Sequence, residues 1–201
     1  MTQFIVYSLP RSRSTWMQLW LHHKEGLSIG HDLAMTCWHW AHFIGLYDQG
    51  LTGTCETGAI VGWRLLRHFK PEIKTVVVFR DVGEVDASLQ KFDIYARDDL
   101  VERRAMLEEV ASLEGVYSLD WRELSDRIAA KKLWEFIFED ESWDEDRHHQ
   151  MCGINAQVNV PDIMGYLHNN AERISWMKST VQISLANLAK EGGPVGCAGL
   201  N

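Results

Sequence analysis

Two groups of basic and hydroxyl side chains have the composition of anion-binding sites. The first is Arg11-Ser12-Arg13-Ser14-Thr15, which directly follows Pro10. Two guanidinium groups and three hydroxyls in five residues supply fixed charge and donors, the combination that holds a phosphate or sulfate. The second group is Arg80 with Ser88, eight residues further on. Arg80 offers a fork of donors and Ser88 a hydroxyl, so the two can grip one oxyanion together. Two titratable residues complete the set. His31, followed by Asp32, and Glu56 each fall at the end of a short β-type segment.

The elements that position these groups are legible from periodicity. Phe4-Ile5-Val6-Tyr7 is an apolar β-type run, and Trp16, Met17, Leu19, Trp20 and Leu21 follow a helical pattern beyond the polar loop. Strand, short loop and helix N-terminus is the arrangement in which backbone N–H groups and the positive end of a helix dipole converge on an anion. Residues 74–89 repeat the theme: a β-branched run over 75–79, Arg80 at its C-terminal end, then Asp81 as a helix cap. Ligands of open α/β sheets bind at that end of the strands. The pattern predicts strands at 3–8, 27–31, 52–56, 74–80 and 115–119. Helices are predicted at 13–24, 34–47, 59–69, 82–96, 98–113, 121–138 (capped by Asp120), 143–153 and 162–190. Alternating strands and helices with short connections imply an α/β three-layer sandwich with a mostly parallel central sheet and a helix-rich C-terminal half.

The two polar segments resemble the phosphosulfate loop and the 3′-phosphate motif of sulfotransferases that use 3′-phosphoadenosine 5′-phosphosulfate (PAPS), in particular small bacterial and phage-type members. That family carries Pro-Arg/Lys-Ser-Gly-Thr/Ser-Thr after its first strand and a pattern like Arg-Asp-Pro-x-x-Val-x-x-Ser-Leu later. Here the segments read Pro10-Arg11-Ser12-Arg13-Ser14-Thr15 and Arg80-Asp81-Val82-Gly83-Glu84-Val85-Asp86-Ala87-Ser88-Leu89. The resemblance covers residues 4–90 and extends more weakly over 117–160. Arg13 stands in place of the family's Gly and Val82 in place of its Pro. The Gly-rich basic segment that closes over the 3′-phosphate in many eukaryotic members has no counterpart, the tail at 192–196 lacking a basic partner.

The resemblance implies a P-loop NTPase-like fold in one domain, 1–201, with a nucleotide-binding core over 1–97 completed by mainly helical residues 98–201. It implies transfer of a sulfuryl group from PAPS to a hydroxyl or amine of a small-molecule or glycan-like acceptor, with 3′,5′-ADP as product and no metal. Arg11 would take the place of the family's catalytic Lys or Arg. Ser12, Arg13, Ser14 and Thr15 would hold the 5′-phosphate, and Arg80 and Ser88 the 3′-phosphate. His31, or failing that Glu56, would be the base. Two other readings stay open: a P-loop kinase or NTPase whose degenerate Walker loop places Arg13-Ser14 at the Lys-Ser/Thr position with Asp81 on magnesium, and an inactive nucleotide-binding protein. Against the kinase, both glycines and the lysine of the Walker loop are missing.

Composition narrows the partners. The 201 residues carry 28 acidic and 20 basic side chains, a formal net charge of −8, which disfavours non-specific binding to nucleic acid or anionic membrane. An anion site must then be a local positive pocket. Cysteines 37, 55, 152 and 197 form no CxxC or zinc spacing and read as reduced thiols of a cytoplasmic protein. No basic-then-apolar leader and no apolar run approaching about 18 residues is present, so a soluble, non-secreted chain is expected. His39 and His42, three apart, suit a metal pair or aromatic packing. Trp38, Trp40 and Trp63 suit an acceptor pocket or the core, and the acidic run 139–146 suits a solvated loop.

Overall fold

Strand β1 (Phe4–Ser8) is buried at every position, and its side chains alternate between two cores. Ile5 and Tyr7 enter one, Phe4 and Val6 the other, as the period of two in a strand requires. Such burial on both faces belongs to the centre of a parallel sheet. The computed structural model, which describes residues 2–22, 26–94, 97–139, 142–156 and 160–190, shows that sheet. β1 pairs in parallel with β3 (Gly53–Glu56) on one side and β4 (Lys74–Phe79) on the other. β2 (Ile29–His31) and β5 (Val116–Asp120) lie at the edges, giving the order β2-β3-β1-β4-β5, all parallel. Gly53 stands opposite Phe4, and a Cβ there would come within 2.3 Å of the Phe4 ring. A glycine at that position lets the ring lie across the strand.

Helices cover both faces. α1 (Ser14–Leu21), α6 (Arg127–Phe138) and α7 (Glu145–Cys152) pack on the face of Phe4 and Val6. α2 (Trp40–Asp48), α3 (Trp63–Phe69), α4 (Val82–Gln90), α5 (Arg97–Ala111) and α8 (Val160–Lys190) pack on the face of Ile5 and Tyr7. Trp16, Trp20 and Trp143 surround His148 in the core of Phe4 and Val6, Trp134 packs on Trp20 and Trp143, and the buried His148 ring meets the Leu124 carbonyl at 2.9 Å. Each large side chain buried this way contributes about 1.5–3 kcal/mol. Among the described residues, no helix is long and apolar enough to cross a membrane.

All five expected strands are present. Three expected helices start late, each preceded by a 3-10 turn (Leu33–Thr36, Ala59–Gly62 and Glu123–Ser125), and the helix expected over 82–96 ends at Gln90. The break before α2 has a local cause. His39 is extended, and its Nδ1 accepts from the His42 N–H at 3.1 Å, so the His39/His42 pair serves as a helix cap. The cap of α6 is Asp126, which accepts from Ala129 N–H at 2.9 Å, and Asp120 instead accepts from Arg122 N–H within its own turn. Within the acidic run, 140 and 141 lie outside the described residues. Asp144 caps α7, and Glu145 and Asp146 occupy its first turn, where the helix dipole favours negative charge. Cys197 and the glycine-rich tail also lie outside the described residues.

Candidate anion-binding site

β1 ends on the basic loop, at the C-terminal edge of the sheet and at its centre. Arg11 and Arg13 both adopt left-handed backbone conformations, with φ of 65° and 64°. For an L-residue this costs about 1–2 kcal/mol, so surrounding contacts must hold it. Arg80 Nη1 donates to the Arg11 carbonyl. Arg13 caps α1 through its carbonyl, which accepts from Met17 N–H at 2.9 Å. Its guanidinium donates to Ser125 Oγ and lies 5.5 Å from the ring centroids of both Trp16 and Trp121. Positive φ at alternate residues curls the backbone so that successive amides converge, the shape of an anion-binding nest. Arg13 adopts a backbone conformation that favours glycine, and it does so under the hold of Ser125 and two indoles.

The loop hydroxyls divide. Ser14 Oγ and Thr15 Oγ1 lie 3.0 and 3.3 Å from His31 Nε2. Ser12 turns inward: its hydroxyl is fully buried and has no partner among the described residues.

The second segment meets the loop at Arg11. Ser88 Oγ accepts from Arg11 Nε at 3.3 Å, while Arg80 takes the Arg11 carbonyl. Arg80 and Ser88 thus hold the same residue from two sides. The Arg11 side chain also lies 5.1 Å above the Phe92 ring. Burial, and then the neighbouring Arg80 charge, lower the Arg11 pKa below the ordinary guanidinium value. Two guanidinium groups kept this close produce a positive focus on an otherwise acidic chain.

His31 and Glu56 are near each other in the fold but face different ways. His31 ends β2, its Nδ1 3.6 Å from Asp32 Oδ2. Asp32 is left-handed (φ 49°), and its Oδ1 accepts from Thr57 N–H at 2.6 Å and Thr57 Oγ1 at 2.9 Å. Glu56 is 0% exposed. Its Oε1 accepts from Leu33 N–H at 2.8 Å and Thr54 Oγ1 at 2.6 Å, and its Oε2 from Ala34 N–H at 3.3 Å. Burial, then the Asp32 charge, push its carboxyl up to about 8, against those three donors. Glu56 therefore clamps the backbone just after His31 and Asp32 from beneath.

Sequence reasoning missed the groups that reach the loop from β5. Trp121 N–H donates to the Phe79 carbonyl at 2.8 Å, placing the indole beside Arg80, whose guanidinium lies 4.3 Å from the ring. Arg104 of α5 donates to the Arg80 carbonyl at 3.2 Å and lies over Phe79. The one available signal was position: Asp120-Trp121-Arg122 follows a strand of the same parallel sheet, hence ends at the same edge as Arg80. Of the three tryptophans weighed as pocket residues, Trp40 is core, Trp63 is half-buried under Arg64, and Trp38 is exposed.

The fold and this site define an α/β protein with an all-parallel sheet whose central strand leads into an arginine- and hydroxyl-rich loop. No protein-family model matches the chain, and a search of curated proteins finds no match.

Proposed function

We propose that the protein is a PAPS-dependent sulfotransferase of P-loop NTPase-like architecture, acting on a hydroxyl or amine acceptor. The observation that carries this reading is the convergence on Arg11. The loop after β1 and the Arg80/Ser88 segment, 69 and 77 residues apart in sequence from Arg11, meet at its carbonyl and its side chain. The order β2-β3-β1-β4-β5, with the loop following the central strand, supports the nucleotide-binding arrangement.

PAPS, when bound, supplies an activated sulfuryl group on a phosphate leaving group. The residues fit it: a curled loop, hydroxyls of Ser14 and Thr15 at the N-terminus of α1, and a second basic group one strand away. Ser14, Thr15 and the loop backbone hold the 5′-phosphate, with Arg13 adding charge and Ser12 supporting the turn from inside. Arg11, oriented by Ser88 and Phe92, stabilises negative charge developing on the leaving oxygen. His31, turned toward the loop hydroxyls, accepts the acceptor's proton, and Glu56 holds the corner on which His31 stands.

Thermal unfolding with 3′,5′-ADP, 5′-AMP, ATP–Mg²⁺ or no ligand tests this, since a ligand of the native state raises the midpoint. The expected result is the largest rise with 3′,5′-ADP. A rise confined to ATP–Mg²⁺ would replace the reading with that of a kinase carrying a degenerate Walker loop.

A further inference from the structure

Glu84, in the first turn of α4, places one carboxylate oxygen on each of two arginines. Its Oε2 lies 3.3 Å from Arg80 Nε, and its Oε1 accepts from Arg122 Nη2. The arginines come from the ends of neighbouring strands, β4 and β5, and lie against the same indole, 4.3 and 5.3 Å from the Trp121 ring. Arg13 approaches that ring as well, at 5.5 Å. Three guanidinium groups about one side chain repel one another. The carboxylates that offset them are Glu84 and Asp120, the latter 3.5 Å from Arg122 Nη1.

A carboxylate spanning two guanidinium forks presents two oxygens much as a phosphate monoester does. Glu84 is 35% exposed, so its side chain can turn into water, and ion pairs this open contribute little to stability. A phosphate dianion brings twice the charge and a third acceptor oxygen to the same forks, and so prevails over the carboxylate.

We infer that Arg80 and Arg122 beside Trp121 form the seat of a phosphate monoester dianion, with Glu84 as a resident stand-in that the incoming phosphate displaces. Resting on the nucleotide reading above, the ester is the 3′-phosphate of 3′,5′-ADP or PAPS. Two arginines of this chain then do the work of a closing basic segment, and Glu84 weakens product binding enough to let 3′,5′-ADP leave.

Calorimetry on the full chain with 3′,5′-ADP and 5′-AMP, for the wild type, Arg122→Met and Glu84→Gln, tests the exchange. Both variants alter partly exposed side chains away from the core. Arg122→Met is expected to weaken 3′,5′-ADP about ten-fold, the loss of one charge-assisted contact, and to leave 5′-AMP within about two-fold. Glu84→Gln is expected to tighten 3′,5′-ADP by about 3–10-fold and 5′-AMP by less, because releasing two forks favours the second phosphate alone. An affinity ratio unchanged in either variant, with both nucleotides bound, overturns the inference and leaves the nucleotide reading standing. Failure of the wild type to bind either nucleotide overturns both.

Discussion

His31 Nε2 lies 3.0 Å from the hydroxyl of Ser14 and 3.3 Å from that of Thr15, so the end of an edge strand is tied to the basic loop that follows the central one. On the other side of the ring, Nδ1 faces the Asp32 carboxylate at 3.6 Å. That carboxylate favours the tautomer with the proton on Nδ1 and leaves the Nε2 lone pair directed at the loop. Asp32 is in turn fixed by Thr57, and the turn that follows it by Glu56. The ring is thus oriented by Asp32, which Thr57 and Glu56 hold in place from the neighbouring strand.

A histidine base must be neutral to accept a proton, so wild-type turnover should fall on the acid side of its pH profile. His31→Ala should lower kcat by about 10²–10⁴-fold and remove that acid limb. Nucleotide affinity should change only a few-fold, about what two hydroxyl contacts among many contribute. Steady-state kinetics across pH, beside calorimetry with 3′,5′-ADP, measure both effects. An unaltered acid limb in the variant would take the base role away from His31.

Arg11→Ala should reduce kcat by about 10²–10³-fold, the usual cost of deleting one donor to transition-state charge, with a smaller loss of nucleotide affinity. Ser88→Ala should act in the same direction and more weakly, because it removes only the hydroxyl that orients Arg11 Nε. The comparison of kcat and KM in the two variants is the measurement. A loss of affinity with kcat unchanged in Arg11→Ala would show that Arg11 binds ground state and transition state alike.

What the sequence disclosed was whatever depends on neighbours along the chain. The buried run of β1, the loop after it and Arg80 at the end of β4 are local patterns, and each lies where periodicity places it. The pairing inside the site is not local. Arg80 and Ser88 sit on one strand–helix unit, yet both turn to Arg11, and Trp121, Arg122 and Ser125 arrive from a strand more than 35 residues later in sequence. Glu56 shows the same limit. Its position at a strand end resembles that of a catalytic carboxylate, but the pleat turns it inward, and the amides it meets belong to residues 33 and 34.

Arg13→Gly separates strain from function. Glycine relieves a left-handed residue, a gain of about 1 kcal/mol, and forfeits the bond to Ser125 and the contacts with Trp16 and Trp121, a loss of similar size at a partly exposed site. Unfolding free energy in urea should therefore stay within about 1 kcal/mol of wild type. Affinity for 3′,5′-ADP should fall by about 5–10-fold, since a guanidinium has left the anion site. A large loss of stability with unchanged affinity would reassign Arg13 to packing alone.

Glu56 makes stability depend on pH with a definite sign. Its carboxyl, held at about 8 in the folded protein by burial and then by Asp32, titrates near the ordinary carboxylate value of 4.5 once unfolded. Between those values the native state binds the extra proton, so stability is fullest below about 4.5 and declines as pH rises through 8. The slope approaches about 1.4 kcal/mol per pH unit within that window. Glu56→Gln should be less stable than wild type at pH 5, because its amide oxygen can replace Oε1 as acceptor for Leu33 and Thr54 but its amide nitrogen cannot accept from Ala34. Its stability should nevertheless fall less steeply from pH 5 to 8, narrowing the gap to wild type as pH rises. Urea midpoints for both proteins at half-unit pH steps measure the difference. Parallel curves would mean that Glu56 keeps its charge in the folded state, with its three donors outweighing burial.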